Sequence, residues 1–102
     1  MLSIRRVNNH FVATFNNTNR INAVYTDEVK AELLKIANQK KDITIDLKGI
    51  SFIDSTGFDT IVAIARTAQE NNTELNIVNL SKEVSELFEL MKLDTILNLE
   101  YA

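Results

Sequence analysis

The chain has 102 residues, of which 45% are hydrophobic and 25% charged, and its formal net charge is -3. This composition predicts one globular domain over residues 1–102, and the acidic balance argues against nucleic acid, which requires a basic surface. The absence of cysteine excludes a disulfide framework, a thiolate metal site and a cysteine nucleophile.

The beginning of the chain has no signal-peptide pattern, and no apolar run approaches the length of a membrane span. We therefore expect a cytoplasmic protein without direct membrane insertion. The protein is also expected to be a monomer, independently of these two observations.

Two strands are predicted first, because apolar and polar residues alternate at 2–5 and aromatic and branched side chains are frequent at 10–15. Asn8 and Asn9 lie between them and predict a hairpin. The chain has no proline and only two glycines. Asparagine tolerates positive φ best among the other residues, so Asn16-Asn17, Asn19 and Asn71-Asn72 are also expected to form turns.

Three amphipathic helices follow, separated by strands at 43–47 and 75–80, with a possible edge strand at 95–99. The first helix is expected to begin at the N-cap Thr26, the second at residues 54–56 and the third after the N-cap Ser81. Their apolar positions are spaced for one helix face: Val29, Leu33, Ile36 and Ala37; Phe58, Ile61, Val62 and Ala65; Val84, Leu87, Phe88 and Met91.

The order of these elements predicts an α/β fold with a mixed sheet of about four to five strands and helices packed on one face. Phe58 fits either the core or a surface that contacts a partner. The residues expected in the core are Phe11, Val12, Ile43, Ile45, Phe52, Ile61, Val62, Ile77, Leu87 and Phe88.

The stretch FIDSTGFD at 52–59 joins a strand to a helix and places three short oxygen-bearing side chains at the helix start. One interpretation is a helix cap, with Asp59 three residues after Thr56 as in a capping box. The other is that Ser55 is displayed as a substrate, since a phosphate there would change the charge presented to a partner with little change in fold.

Catalysis by this chain is not expected, and no catalytic residues are assigned. Its one histidine, His10, lies at a predicted strand end and has no nucleophile pattern around it. No metal-ligand spacing occurs, and Gly49 and Gly57 do not form a phosphate-binding loop. We therefore predict neither a metal nor a cofactor.

Residues 46–58, DLKGISFIDSTGF, resemble the central motif of the STAS domain, named for sulfate transporters and anti-sigma factor antagonists. The motif of the family consists of Asp-Leu, a short connection and then Phe-(Ile/Met)-Asp-Ser-(Ser/Thr)-Gly-Leu. Residues 19–22, NRIN, are similar to the family's Gly-x-Leu-Asp segment, and residues 84–97 are similar to its closing helix and tail. The resemblance covers nearly the whole chain and is greatest to the free-standing bacterial antagonists.

The resemblance implies that Ser55 is phosphorylated by an anti-sigma factor that is also an ATP-dependent serine kinase, and that a phosphatase reverses this. The unphosphorylated form would bind the kinase. The alternative is an unmodified accessory subunit of a transport complex.

Asn19, Asn22 and Asp59 stand where the family often has Gly, Asp and Gly. The residues expected to contact the partner are Asn22, Asp54, Ser55, Thr56, Gly57, Phe58 and Asp59.

Overall fold

The computed structural model describes residues 2–23 and 26–102. This part of the chain forms seven strands and three helices. The strands are β1 (Leu2–Val7), β2 (His10–Phe15), β3 (Arg20–Ile21), β4 (Ile43–Asp46), β5 (Phe52–Ile53), β6 (Leu75–Leu80) and β7 (Asn98–Tyr101). The helices are α1 (Thr26–Ala37), α2 (Ser55–Glu70) and α3 (Lys82–Leu90).

Five strands form the main sheet in the order β1-β2-β4-β6-β7. The β1–β2 pair is antiparallel and the other pairs are parallel, so the predicted mixed sheet is confirmed. Asn8 and Asn9 have φ values of 50° and 69°, which matches the type I′ turn that best fits the twist of a two-residue hairpin. Asn17 and Asn72 also have positive φ, whereas Asn19 is not among the residues that do.

The two faces of the sheet differ in burial. Phe11 and Ile43 are in register on one face and are buried, whereas their neighbours Val12 and Thr44 face the other side and are half-buried. The same alternation continues into β6. Helices therefore cover one face of the sheet, as predicted, and the expectation that Val12 is a core residue is wrong because it lies on the uncovered face.

Each helix buries one of its faces against the sheet or a neighbouring helix. The apolar spacing predicted that Val29 and Leu33 lie on the buried face of α1, and that Val84 and Phe88 lie on the buried face of α3. All four residues are buried. Val62 and Leu87 are only partly buried at the margin of this core. The buried residues of α2 are Gly57, Phe58, Thr60, Ile61, Ile64 and Ala68.

The predicted ends of three elements need correction. Thr26 is the first residue of α1 and not its N-cap, because its backbone N–H already donates to the carbonyl of Asn22 at 3.2 Å. Met91 is 47% exposed because α3 ends at Leu90. The last strand begins at Asn98, since the backbone N–H groups of residues 96 and 97 donate to the carbonyl of Leu93 and form a turn there.

A second, two-stranded sheet was not predicted. In it β3 and β5 run parallel, with Arg20 opposite Phe52 and Ile21 opposite Ile53. Ile21 and Ile53 are buried, but Phe52 is 45% exposed, so its assignment to the core is wrong. It occupies the outward position of a strand whose side chains alternate between two faces. Within the part of the chain that the structure describes, no helix has the length and apolar character needed to span a membrane.

Replacing Phe88 by alanine is expected to lower the free energy of unfolding by about 3–5 kcal/mol. Phe88 is 0% exposed and packs edge to face on Phe58, with ring centroids 5.0 Å apart. The control is Phe52→Ala, which removes a ring that is 45% exposed and should cost less than about 1.5 kcal/mol. Urea unfolding of both variants measures the difference, and equal losses would contradict the assigned burial.

Candidate functional site

The two-stranded sheet brings together two segments that are distant in sequence, residues 19–23 and 51–57. The backbone N–H of Ser51 donates to the carbonyl of Asn19 at 2.7 Å, and that of Asp54 donates to Ile21 at 3.0 Å. Two of the three segments that resemble the STAS domain, residues 19–22 and 46–58, therefore meet here. Their pairing places the start of α2 against the end of β3.

Asp54 is the N-cap of α2. Its Oδ1 accepts hydrogen bonds from the backbone N–H of Gly57 at 2.9 Å and from the hydroxyl of Thr56 at 2.7 Å. Its Oδ2 accepts from the backbone N–H of Ala23 at 3.0 Å. The predicted capping box headed by Thr56 is therefore wrong, because the cap lies two residues earlier. The carboxylate also joins the helix start to the loop after β3.

These hydrogen bonds act on the charged form of the Asp54 carboxyl. The hydroxyl of Thr56 and the N–H groups of Gly57 and Ala23 hold the pKa of Asp54 below its ordinary value, and partial desolvation opposes them. Asp54 is therefore an ionised acceptor at neutral pH and carries a negative charge directly beside Ser55.

Thr56 is exposed, but its hydroxyl is occupied. Besides donating to Asp54, its oxygen accepts from the hydroxyl of the buried Thr26 at 3.5 Å. The Thr60 hydroxyl donates to the carbonyl of Thr56 at 3.0 Å. These contacts connect the first turns of α1 and α2.

Ser55 is the first residue of α2 and is exposed. Across the described ranges, its hydroxyl has no hydrogen-bond partner. Asp59 is also exposed and follows four residues later, so it lies on the same side of the helix. The site thus presents a free hydroxyl with one carboxylate beside it and another one turn away.

Gly57 permits the close approach of α2 to the two-stranded sheet. A Cβ at this position would lie 2.7 Å from Cγ2 of Ile53 and 3.1 Å from the carbonyl oxygen of Ile21. Real Cβ atoms essentially never come within 3.0 Å of another heavy atom, so the contact with Ile53 requires a shift, and the contact with Ile21 would also be tight. A larger residue would push the helix start away from both strands.

The other predicted contact residues divide into accessible and buried ones. Asn22 is half-buried between Ile21 and Ala23, both of which bond to Asp54, so it lies next to the Ser55 turn. Phe58 is 3% exposed and Gly57 is also buried. Both residues therefore support the turn from beneath its exposed side chains.

Sequence reasoning missed the part that Ala23 plays, because it contributes a backbone N–H, which any residue except proline carries. Phe52 was missed as a surface residue because a two-residue strand shows no alternation. Among residues 2–23 and 26–102, no three His, Asp or Glu side chains converge into a group that could hold a metal ion.

Comparisons with known proteins agree with this architecture. A family model described as STAS domain matches residues 3–102. An anti-sigma-B factor antagonist from Staphylococcus aureus is 31% identical over 77 residues, covering 74% of this chain and 71% of that protein. The corresponding protein from Bacillus subtilis is 32% identical over the same shares.

The fold is also that of a solved STAS domain protein from Planctomyces limnophilus, described as an anti-sigma-factor antagonist. The two structures superpose with a TM-score of 0.91 at 15% sequence identity, over 99% of this chain and 90% of the other.

Gly57→Ala is expected to destabilise the protein by about 1–3 kcal/mol, because the added methyl group overlaps Ile53 and the carbonyl of Ile21. The matched control is Ser55→Ala in the same helical turn, where an exposed side chain is shortened and the change should stay within about 0.5 kcal/mol. Urea unfolding gives both values. A neutral Gly57→Ala would show that the approach of the helix to the strands is not constrained.

Asp54→Ala removes the helix cap and should cost about 0.5–2 kcal/mol at neutral pH. Because the folded pKa of Asp54 is depressed, its contribution is fully present above the unfolded pKa of about 3.9 and is lost as the pH falls through the lower folded value. The stability difference between wild type and variant should therefore shrink in acid.

The measurement is urea unfolding of both proteins from neutral pH down to about pH 2.5. Asp59→Ala, which removes an exposed carboxylate from the same helix, is the control and should have little effect at neutral pH. A difference between wild type and Asp54→Ala that is independent of pH would contradict the role of the ionised carboxylate.

Proposed function

Because the chain belongs to the STAS domain family and is similar to anti-sigma-B factor antagonists, we propose that it antagonises an anti-sigma factor through phosphorylation-controlled binding. The unphosphorylated form binds an anti-sigma factor that is also a serine kinase, and phosphorylation of Ser55 ends the binding. A phosphatase restores it. One observation supports this proposal most. Ser55 is exposed at the start of α2, whereas the side chains of its neighbours Asp54 and Thr56 are hydrogen-bonded to each other.

The proposed modification is a phosphoryl transfer from ATP held by the kinase. The Ser55 oxygen forms a bond to the γ-phosphorus as the bond from that phosphorus to the β,γ-bridging oxygen breaks. ADP leaves with the electron pair, and a base on the kinase accepts the hydroxyl proton. This chain provides the acceptor and its orientation, so it is the substrate and needs no catalytic group of its own.

The added phosphate would alter a surface that is already negative. It brings about -1.5 to -2 charges to a position between Asp54 and Asp59. The N–H groups at the start of α2 favour an anion, so the fold can accommodate it. A partner that packs against the neutral hydroxyl would instead meet repulsion and an unpaired charge, which explains a loss of binding with little change in structure.

The contact surface that we propose surrounds Ser55 and contains Thr56, Asp59 and Asn22 at its accessible edge. Asp54 fixes the position of this surface through hydrogen bonds on both sides. Gly57 and Phe58 lie beneath it.

Ser55→Ala is expected to fold, to retain binding to the kinase and to carry no phosphate when it replaces the wild-type gene in the native host. Ser55→Asp should weaken binding by about tenfold or more, corresponding to about 1.4 kcal/mol. Phosphosite mapping by mass spectrometry and titration calorimetry with the co-purifying kinase measure these effects. Ser85→Ala in α3 is the control and should leave both phosphorylation and binding unchanged.

Phosphate remaining at the wild-type level in Ser55→Ala would show that another residue is the acceptor. A wild-type protein that never carries phosphate, and that co-purifies with a transporter and no kinase, would overturn the proposal. That result would support the unmodified accessory subunit instead.

A further inference from the structure

Ser55 lies inside a small hydrogen-bonded ring. The Thr56 hydroxyl on one side of it donates to the Asp54 carboxylate on the other side at 2.7 Å. The same carboxylate oxygen accepts from the N–H of Gly57 at 2.9 Å. The backbone is therefore held on both sides of Ser55, while the Ser55 side chain itself takes no part in the ring.

The adjacent hydroxyls of Ser55 and Thr56 consequently differ in how readily each can accept a phosphoryl group. For the base of the kinase to accept its proton, the Thr56 hydroxyl would have to turn away from the ionised Asp54 carboxylate. A hydrogen bond to a charged acceptor belongs to the stronger class, so this reorientation is costly. The Thr56 hydroxyl oxygen also accepts a hydrogen bond from the hydroxyl of Thr26 in α1. Ser55 has no such bond to break among the described residues.

We propose that Thr56 is a positioning residue that selects the acceptor: its bond to Asp54 withholds its own hydroxyl from phosphoryl transfer and orders the turn that presents Ser55. This inference rests on the proposed function, because it concerns which of two hydroxyls the kinase modifies. It assigns Asp54 a matching role, since the carboxylate that caps α2 also occupies the competing hydroxyl.

The test compares phosphorylation at positions 55 and 56 in variants that replace the wild-type gene in the native host. Tandem mass spectrometry of the isolated protein separates the two phosphopeptides. Wild type should carry phosphate on Ser55, and Ser55→Ala should carry almost none on Thr56. The double variant Asp54→Ala with Ser55→Ala frees the Thr56 hydroxyl, and phosphate on Thr56 should rise about tenfold or more over the single variant.

A second pair of variants keeps Asp54, and so does not depend on the double variant folding. In Thr56→Ala the ring is opened, and the initial rate of Ser55 phosphorylation should fall about tenfold. Thr56→Ser retains the donating hydroxyl and should restore the rate, which a role of Thr56 in packing alone would not produce. Circular dichroism and thermal unfolding establish that the compared variants are folded.

The outcomes separate this inference from the proposed function. Phosphate on Ser55 in wild type together with equal phosphate on Thr56 in Ser55→Ala overturns the acceptor selection alone. A normal rate in Thr56→Ala, or a failure of Thr56→Ser to restore it, overturns the positioning role. Wild type without phosphate at either position overturns the proposed function and this inference with it.

Discussion

The carboxylate of Asp54 accepts hydrogen bonds from both sides of the site, and the arrangement of the surrounding elements depends on it. One oxygen holds the first turn of α2, and the other holds the loop after β3, 31 residues earlier in the chain. Gly57 makes this possible, since only a residue without a Cβ lets the helix start lie so close to Ile21 and Ile53. The charge that caps the helix is therefore the same charge that fixes the neighbouring loop.

This arrangement gives two adjacent hydroxyl residues different properties although both are exposed. Thr56 is bonded within the turn and Ser55 is not, so a single cap distinguishes them without any difference in burial. The electrostatic environment adds to this difference. A negative group on Ser55 would be favoured by the helix N-terminus and disfavoured by Asp54 and Asp59, so its effect would fall mainly on an approaching partner.

The sequence predicted what periodicity and turn chemistry encode: the Asn8-Asn9 hairpin, the mixed sheet, and three helices with one buried face. It also indicated the turn around Ser55, because short oxygen-bearing residues between a strand and a helix are the preferred types at a helix start. It did not predict the β3–β5 sheet, since strands of two residues have no alternation to detect. For the same reason it placed Phe52 in the core. The cap was assigned to Thr56 because several neighbouring residues can cap a helix, and only the position of the backbone decides among them.

The shortness of the two-stranded sheet has a consequence for motion. Its strands are two residues each, with further backbone hydrogen bonds at Asn19–Ser51 and Ile21–Asp54, whereas the main sheet pairs longer strands. Local opening costs least where few backbone hydrogen bonds and little buried apolar area are lost. The amide protons of Ser51 and Asp54 should therefore exchange with solvent sooner than those at the centre of β4. The hydrogen bonds of this small sheet can thus open before those of the main sheet, while Ile21 and Ile53 remain part of the common core.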